Sequence, residues 1–259
     1  MPNPEFSEFQ FAYSVTRELE SRQTGISLLG LPWFPTQNLE GDIGFDVAFP
    51  NGVSPLCLQY KRSKRLDDAR ARNEEWNVYR DTYYRFDIRT ANRTGKDTSN
   101  KQHEILVNLA NDFPDTYYVA PEFITLSNYS QFAQNDRVTV NAAFAECQGA
   151  PKPNDNDDHV ICHRPQDDKA LLFSDAPNEQ ELSVRRGTES ILEMTNQRGP
   201  QFEDEEGLRR TFRNIRSRIV EQGEFDIDPD EYESELFAEW IGLQQRFFRE
   251  SVAISLHLI

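Results

Sequence analysis

The spacing of apolar and polar residues along the chain predicts both helices and strands. Between positions 4 and 23, Phe11, Val15 and Leu19 recur at helical spacing, which is typical of an amphipathic helix with one buried face. Beyond position 40 the period shortens to two, as in strands. Residues 44–49 and 55–61 therefore predict two strands, which the Pro-Asn-Gly turn between them joins into a hairpin.

The alternation of strands and helices continues downstream. Residues 82–88 and 115–121 predict strands, and the apolar face of residues 100–111 predicts a helix between them. Further elements are predicted as short strands at 138–140, 159–162 and 170–173, and as helices at 203–221 and from 228 onward.

This order of elements predicts the α/β fold class, with a mixed sheet that carries helices on its faces. The sheet and its helices are expected to form a core over residues 1–175. Residues 176–259 are expected to form a helical C-terminal appendage that packs on that core or belongs to the same domain.

Three polar side chains of the predicted hairpin are the candidates for chemistry. Gln59 and Lys61 share one face of the second strand, and antiparallel pairing can bring Asp46 opposite them. Asp46 offers a carboxylate to a hard divalent cation, and Gln59 offers a neutral amide oxygen. Lys61 can hold water or neutralise charge that develops on a phosphate. The alternative is a half-exposed hairpin with ordinary polar side chains.

The same residues resemble a known nuclease motif. Gly-Phe-Asp at 44–46, a spacer of a dozen residues and Gln-Tyr-Lys at 59–61 are similar to the PD-(D/E)xK nuclease superfamily. The similarity is greatest to the Mrr-type restriction endonucleases, whose second motif is Q-x-K. Over residues 5–125 it implies a restriction-endonuclease-like core that cuts DNA with Mg2+ or Mn2+. It also implies that Asp46 and Gln59 bind the ion and that Lys61 acts on water or phosphate.

Because Gln59 supplies no carboxylate, the resemblance calls for a further acid at the metal. Many members of the superfamily carry such an acid on the helix before the hairpin, and Glu18 matches that position best. Glu8 on the same helix and Glu40 just before the first strand are its rivals. The expected catalytic residues are Asp46, Gln59, Lys61 and Glu18.

Composition narrows the class of protein further. The net charge is −16, and only six of the 28 cationic residues are lysine, which resembles the proteins of salt-in halophiles. We therefore expect a haloarchaeal, cytoplasmic protein. The chain contains neither a run of eighteen apolar residues nor a basic and apolar leader, so we expect no membrane span and no signal peptide. Its three scattered cysteines fit neither a disulfide framework nor a zinc site.

Positive charge is concentrated in one part of the chain. Residues 61–101, the basic island, contain twelve Lys or Arg and seven Asp or Glu, whereas the remaining residues sum to −21. The basic island begins at Lys61, where a nuclease would attract a phosphate backbone. A solvated basic loop is the alternative. The expected DNA contacts are Arg62, Lys64, Arg65, Arg70, Arg72 and, at the start of the next helix, Gln102.

These features predict a metal-dependent DNA endonuclease that acts in defence against foreign DNA. The alternative is a catalytically weak nucleic-acid-binding or scaffold protein that retains the nuclease fold, which the missing carboxylate at Gln59 favours. DNA is the expected partner, and no membrane partner is expected. The apolar stripe that includes Tyr232, Leu236 and Trp240 on a C-terminal helix is a candidate homodimer interface.

The basic island leads to a testable prediction about salt. Neutralised phosphates release counterions, so the logarithm of affinity falls with the logarithm of salt by about 0.9 per contact on duplex DNA. A protein that works in molar salt must depend on few such contacts, and we expect a slope worth about two to four contacts. Arg70→Glu combined with Arg72→Glu should make the slope shallower when anisotropy is measured across a KCl series. An unchanged slope and affinity would mean that DNA approaches another face, such as the arginine-rich segment 209–218.

Overall fold

A computed structural model describes residues 3–21, 32, 34–35, 40, 44–49, 55–67, 74–88, 102–152, 159–173 and 180–197. These residues form five α-helices, and none of them is both long and apolar enough to cross a bilayer. The helices are α1 (Glu8–Ser21), α2 (Glu74–Tyr79), α3 (Gln102–Asp112), α4 (Leu126–Gln134) and α5 (Thr188–Gln197). The strands are β1 (Val47–Phe49), β2 (Leu56–Tyr60), β3 (Lys64–Leu66), β4 (Tyr83–Ile88), β5 (Thr116–Pro121), β6 (Ala142–Glu146), β7 (His159–His163), β8 (Lys169–Phe173) and β9 (Gln180–Arg185).

The strands form one nine-stranded mixed sheet, in the order β1-β2-β5-β6-β9-β8-β7-β4-β3. β2 and β5 pair in parallel, and the other neighbours pair antiparallel. A parallel pair needs a long connection, and the chain between β2 and β5 includes α3. The predicted α/β class with a mixed sheet and flanking helices is therefore confirmed.

The sheet curls back on itself because of a short link. β2 is second in the sheet and β3 is ninth, yet only Lys61, Arg62 and Ser63 connect them. In a flat sheet these strands would lie roughly 33 Å apart, whereas four residue steps reach at most about 14 Å. A contact across the curl agrees with this argument, since the rings of Phe86 on β4 and Tyr118 on β5 lie 5.7 Å apart.

The two faces of the curled sheet are packed differently. On the outer face, Leu58, Tyr60 and Val119 join a core cluster with Phe11 and Val15 of α1. The outer face near β3 carries a second, smaller cluster that includes residues of α2. Gln59 lies on the inner face. Its register partner Tyr118 lies on the same face, because paired residues on neighbouring strands share a face. The candidate residue Gln59 therefore lies inside the curl, beside Tyr118.

Several boundaries differ from the predicted ones for local reasons. α1 begins at Glu8 and not at Pro4, because Ser7 and Gln10 each bond the other's backbone N–H in a capping box. The segment predicted as a strand at 138–140 instead enters a 3-10 turn, Thr139–Asn141, and the strand β6 follows it.

The predicted domain boundary at 175 is also corrected. β9 lies inside the sheet between β6 and β8, and α5 contributes Ile191 to the main core cluster, so the sheet unit extends past 175. The chain divides into Met1–Gln201 and Phe202–Ile259. The helices predicted at 203–221 and from 228 onward, with their candidate dimer stripe, lie outside the described residues.

A buried ion pair joins the strand ends that meet inside this unit. Glu122 directly follows β5, and Oε1 of its carboxylate accepts bonds from Nε (3.0 Å) and Nη2 (2.5 Å) of Arg186, which directly follows β9. The same oxygen lies 3.4 Å from Nδ1 of His163 at the end of β7. The side chains of Glu122 and Arg186 are 2% and 12% exposed, so solvent screens their pairing little. We call this group the Glu122 clasp.

Breaking the Glu122 clasp should destabilise the protein strongly. Arg186→Met leaves the buried Glu122 carboxylate without its cation, so the free energy of unfolding should fall by about 3 kcal/mol or more. The matched control is Arg17→Met, because Arg17 and its partner Asp136 are 42% and 51% exposed. We expect that control to cost about 1 kcal/mol or less. Equal losses in urea denaturation would contradict a special role for the clasp.

Candidate active site

The chain turns sharply just before β1 and so brings Asp46 against β2. Gly44 has a positive φ of 80°, its N–H donates to the carbonyl of Glu40 (2.9 Å), and a Cβ at this position would lie 3.0 Å from Cγ2 of Ile105. Both the backbone angle and the close approach of α3 therefore favour glycine. Asp46 N–H then donates to the carbonyl of Leu58 (2.9 Å), which extends the β1–β2 pairing to Asp46.

A continuous line of hydrogen bonds connects Asp46 to Lys61. Oδ2 of Asp46 accepts from the backbone N–H of Tyr60 (2.6 Å) and from Nε2 of Gln59 (2.8 Å). Oε1 of Gln59 accepts from Nε2 of Gln102 (3.0 Å), the first residue of α3. Oε1 of Gln102 accepts from Nζ of Lys61 (2.7 Å). The structure therefore brings Asp46, Gln59 and Lys61 together, with Gln102 as the connection between the last two.

Lys61 is held at the end of β2 by the neighbouring strand. Its backbone N–H donates to the carbonyl of Val119 on β5 (2.9 Å), which continues the parallel pairing by one residue. Its Nζ lies 5.7 Å from the ring centroid of Tyr118, within the range of a cation–π contact. The hydroxyl of Tyr118 in turn lies 3.0 Å from Nδ1 of the buried His103. The ammonium group is thus surrounded by polar and aromatic groups of the inner face.

Among the acids that the structure describes, Glu40 contacts Asp46. The pKa of Asp46 is raised from 3.8 to about 7, and burial is the largest cause of the rise. The hydrogen bond from the Tyr60 N–H lowers this pKa and so opposes the rise. The charge of the Glu40 carboxyl and its side-chain hydrogen bond raise that pKa further, and the ammonium of Lys61 lowers it. Two carboxyl groups in contact, one of them poorly solvated, share this end of the site.

The expectation that Glu18 joins Asp46 is corrected. α1 lies on the outer face of the sheet, where Oγ1 of its Thr16 contacts the hydroxyl of Tyr60 (3.0 Å). The Glu18 carboxylate accepts from the backbone N–H of Val138 (2.7 Å) and of Thr139 (2.8 Å). It therefore caps the 3-10 turn on the opposite side of the sheet from the inner-face site. Glu8, the other rival on α1, is exposed at the first residue of that helix.

Two of the described carboxylates could offer oxygen ligands to a hard cation. Asp46 and Glu40 together offer the oxygen ligands that Mg2+ prefers, and Mg2+ commonly binds to one or two carboxylates and keeps several waters. Among the described residues, no group of three or more His, Cys, Asp or Glu side chains is placed to hold a metal ion. The expected contribution of Gln59 is corrected as well, since it turns its amide nitrogen and not its oxygen toward Asp46.

The cations expected to contact DNA have partners inside the protein. Nη2 of Arg62 donates to the carbonyl of Pro4 (3.1 Å), and Nζ of Lys64 binds Asp87 (2.7 Å). Nη2 of Arg65 lies 3.5 Å from Oδ2 of Asp67. All three side chains therefore already have hydrogen-bond or ion-pair partners within the protein. The side chains of Lys64 and Arg65 are 34% and 41% exposed, so solvent still reaches them. Arg70 and Arg72 lie outside the described residues.

Two residues of the site were missed or misread at the sequence level. Gln102 was expected to contact DNA, but its side chain is buried and bonded to Gln59 and Lys61. Tyr118 carried no signal beyond its place in an apolar strand. Period two marks Gln59 and Lys61 as neighbours, but the parallel pairing of β2 with β5 and the approach of α3 have no local signature.

The raised pKa of Asp46 predicts how stability depends on pH. Its folded pKa of about 7 exceeds the ordinary value of 3.8, so the folded state holds this proton more tightly and stability falls as pH rises between those values. Asp46→Asn removes the titration. In metal-free buffer its stability relative to wild type should rise by about 1–2 kcal/mol from pH 5 to pH 8, allowing for solvent screening.

The control for this measurement is Asp167→Asn, because Asp167 is exposed. Its stability relative to wild type should be the same at both pH values when unfolding is followed by circular dichroism. If Asp46→Asn gains nothing between pH 5 and pH 8, the Asp46 carboxylate is not an unfavourable buried charge.

Comparison with known proteins adds no assignment to this geometry. The chain matches no protein-family model, no curated protein and no solved structure.

Proposed function

We propose that the protein is a metal-dependent DNA endonuclease that hydrolyses phosphodiester bonds. The observation that carries the proposal is the convergence of Asp46, Gln59 and Lys61, with Glu40 against Asp46. Carboxylates that can bind a hard cation next to an ammonium that can face a phosphate form a set suited to phosphoryl transfer. Defence against foreign DNA remains the biological role that the motif resemblance implies.

The arrangement around the site supports a restriction-endonuclease-like core. β1 and β2 form the antiparallel hairpin that carries the motif, and β5 pairs in parallel with β2. α1 packs on the outer face of these strands, and the first residue of α3 bonds Gln59 on the inner face. A mixed sheet flanked by helices is what the resemblance implies for residues 5–125.

Asp46 and Glu40 are the residues that would hold a Mg2+ or Mn2+ ion. A bound ion at this place would supply Lewis-acid activation of the phosphate and of water. The fit rests on two carboxyl groups in contact, one of which is poorly solvated, because a divalent cation relieves their mutual repulsion. Haloarchaeal intracellular salt would screen the long-range charge of this acidic protein but not such a close contact.

The other residues have roles that follow from their own chemistry. Lys61 can neutralise the charge that develops on the phosphate while water adds to phosphorus and the ester oxygen leaves. Gln59 and the Tyr60 N–H fix Asp46 by donating to the same carboxylate oxygen. Hydrolysis then forms one P–O bond to the oxygen of water and breaks one P–O ester bond.

A second candidate function is a catalytically weak nucleic-acid-binding or scaffold protein that keeps the fold. The specific observation in its favour is the amide nitrogen of Gln59, which faces Asp46 where the E-x-K members of the resembling superfamily have a carboxylate. The internal pairing of Lys64 with Asp87 weighs against strong binding to a phosphate backbone at that point.

Plasmid cleavage with Mg2+ or Mn2+ at high KCl tests the proposed enzyme. Asp46→Ala removes one of the two described carboxylates that would hold the ion, so cleavage should fall by on the order of 100-fold or more. Glu40→Gln should raise the metal concentration needed for half-maximal rate. Near-normal cleavage by Asp46→Ala would contradict the proposal, and a gel shift without cleavage by the wild type would favour the binding protein.

Glu18→Gln is the matched control for Glu40→Gln. The N–H groups of Val138 and Thr139 donate to different oxygens of Glu18, so the new amide nitrogen in Glu18→Gln would face one of these donors and the melting temperature should fall. The metal requirement of the folded fraction should stay at the wild-type value, because Glu18 lies on the other face of the sheet. A shifted metal requirement in Glu18→Gln but not in Glu40→Gln would reverse the assignment of the second acid.

A further inference from the structure

We propose that Gln102 is a positioning residue. It determines whether the nitrogen or the oxygen of the Gln59 side-chain amide faces Asp46. It does so by accepting a hydrogen bond from Lys61 while it donates one to Gln59. The consequence for catalysis rests on the nuclease function proposed above, whereas the positioning is a property of the protein alone.

Lys61 and Asp46, at the two ends of this chain of hydrogen bonds, determine which atom of each amide donates and which accepts. An ammonium group such as that of Lys61 can only donate, and Oδ2 of Asp46 is an acceptor, because the backbone N–H of Tyr60 also donates to it. Each amide between them has one accepting oxygen and one donating nitrogen. All three bonds can form only if both amides point their oxygens toward Lys61 and their nitrogens toward Asp46, and this is the observed arrangement.

Burial makes it unfavourable for the amides of Gln59 and Gln102 to turn over. Gln59 is 2% exposed and Gln102 is 8% exposed, so solvent has little access to replace a lost partner. If both amides turned over, the nitrogen of Gln102 would face the ammonium of Lys61, and the oxygen of Gln59 would face the carboxylate of Asp46. Both encounters are repulsive in a poorly solvated site.

The start of α3 is itself anchored, which places Gln102. The ring of His103, the next residue, is bonded through Nε2 to the carbonyl of Pro151 (2.8 Å) and through Nδ1 to the hydroxyl of Tyr118 (3.0 Å). A carbonyl only accepts, so Nε2 carries the proton and Nδ1 accepts from Tyr118. Burial lowers the pKa of His103 to about 4, which keeps the ring neutral in that arrangement.

The arrangement also links Lys61 to the groups around Asp46. While Lys61 donates to Gln102, the oxygen of Gln59 is held away from Asp46 and from an ion beside it. When Lys61 instead turns to a substrate phosphate, Gln102 loses the donor that orients it. The Gln59 oxygen can then turn toward an ion beside Asp46, at the cost of the bond from its amide nitrogen to the carbonyl of Tyr60 (3.3 Å). Gln102 therefore makes the ligand set at Asp46 depend on whether Lys61 is engaged.

NMR of the metal-free, nitrogen-15-labelled protein tests the positioning without DNA. The Gln59 amide and the Tyr60 N–H donate to the same oxygen, so their protons should give a strong nuclear Overhauser effect in wild type. Gln102→Met should at least halve that signal and speed solvent exchange of the Gln59 amide protons roughly fivefold, as expected for one lost hydrogen bond. Lys61→Met should act in the same direction, and Lys61→Arg, which keeps a donor, should restore wild-type values.

The matched control is Asn108→Leu, which removes a side chain of the same helix that binds Lys152 and not the site. It should leave the Gln59 signals unchanged. Wild-type signals in Gln102→Met would overturn the proposal, and if that variant does not fold, equal effects of Lys61→Met and Lys61→Arg would overturn it. Cleavage is assayed separately: an inactive wild type with the predicted NMR pattern refutes the nuclease and supports the positioning role. An active wild type without that NMR pattern supports the nuclease and refutes the positioning role.

Discussion

The three-residue link between β2 and β3 is the constraint on which the rest of the structure depends. It joins the second and the ninth positions of the sheet, so the sheet must curl until those strands are a few residues apart. Curling turns one face inward and creates an interior where distant strands meet, as the contact of Phe86 with Tyr118 shows. Lys61 lies in the link itself and is therefore positioned by the closure of the sheet.

An interior formed in this way contains polar groups that cannot be left without partners. The structure provides these partners in two different ways. At the strand ends, the Glu122 clasp neutralises a buried carboxylate with Arg186. At the other site, neutral amides of Gln59 and Gln102 bridge the carboxylate and the ammonium, which never touch directly through a described bond. The first solution locks the strands together, whereas the second leaves a carboxylate whose raised pKa marks an unfavourable charge.

That unfavourable charge is the strongest physical reason to regard the Asp46 site as functional. A protein selected only for stability would gain by replacing a poorly solvated carboxylate in contact with another acid. The contrast with Glu18 is instructive, since its buried carboxylate is satisfied by backbone N–H groups and serves the fold. Both are acids with little solvent contact near the motif, and only their partners distinguish the acid that stabilises a turn from the one that we propose holds an ion.

The sequence by itself determined the elements with strong local periodicity, namely α1, the hairpin and α3. Period two indicates that a hairpin can bring Asp46 opposite the face of Gln59 and Lys61, whereas the register that pairs Asp46 with Gln59 was set by the tertiary structure. Only the tertiary structure decided that Glu40 and not Glu18 meets Asp46, because the side of the sheet on which α1 packs is set by apolar burial across many strands. The same holds for Gln102, whose partners are 41 and 43 residues away along the chain. Contacts of that kind depend on the curl of the sheet and the parallel pairing of β2 with β5, and neither leaves a local pattern in the residues that make them.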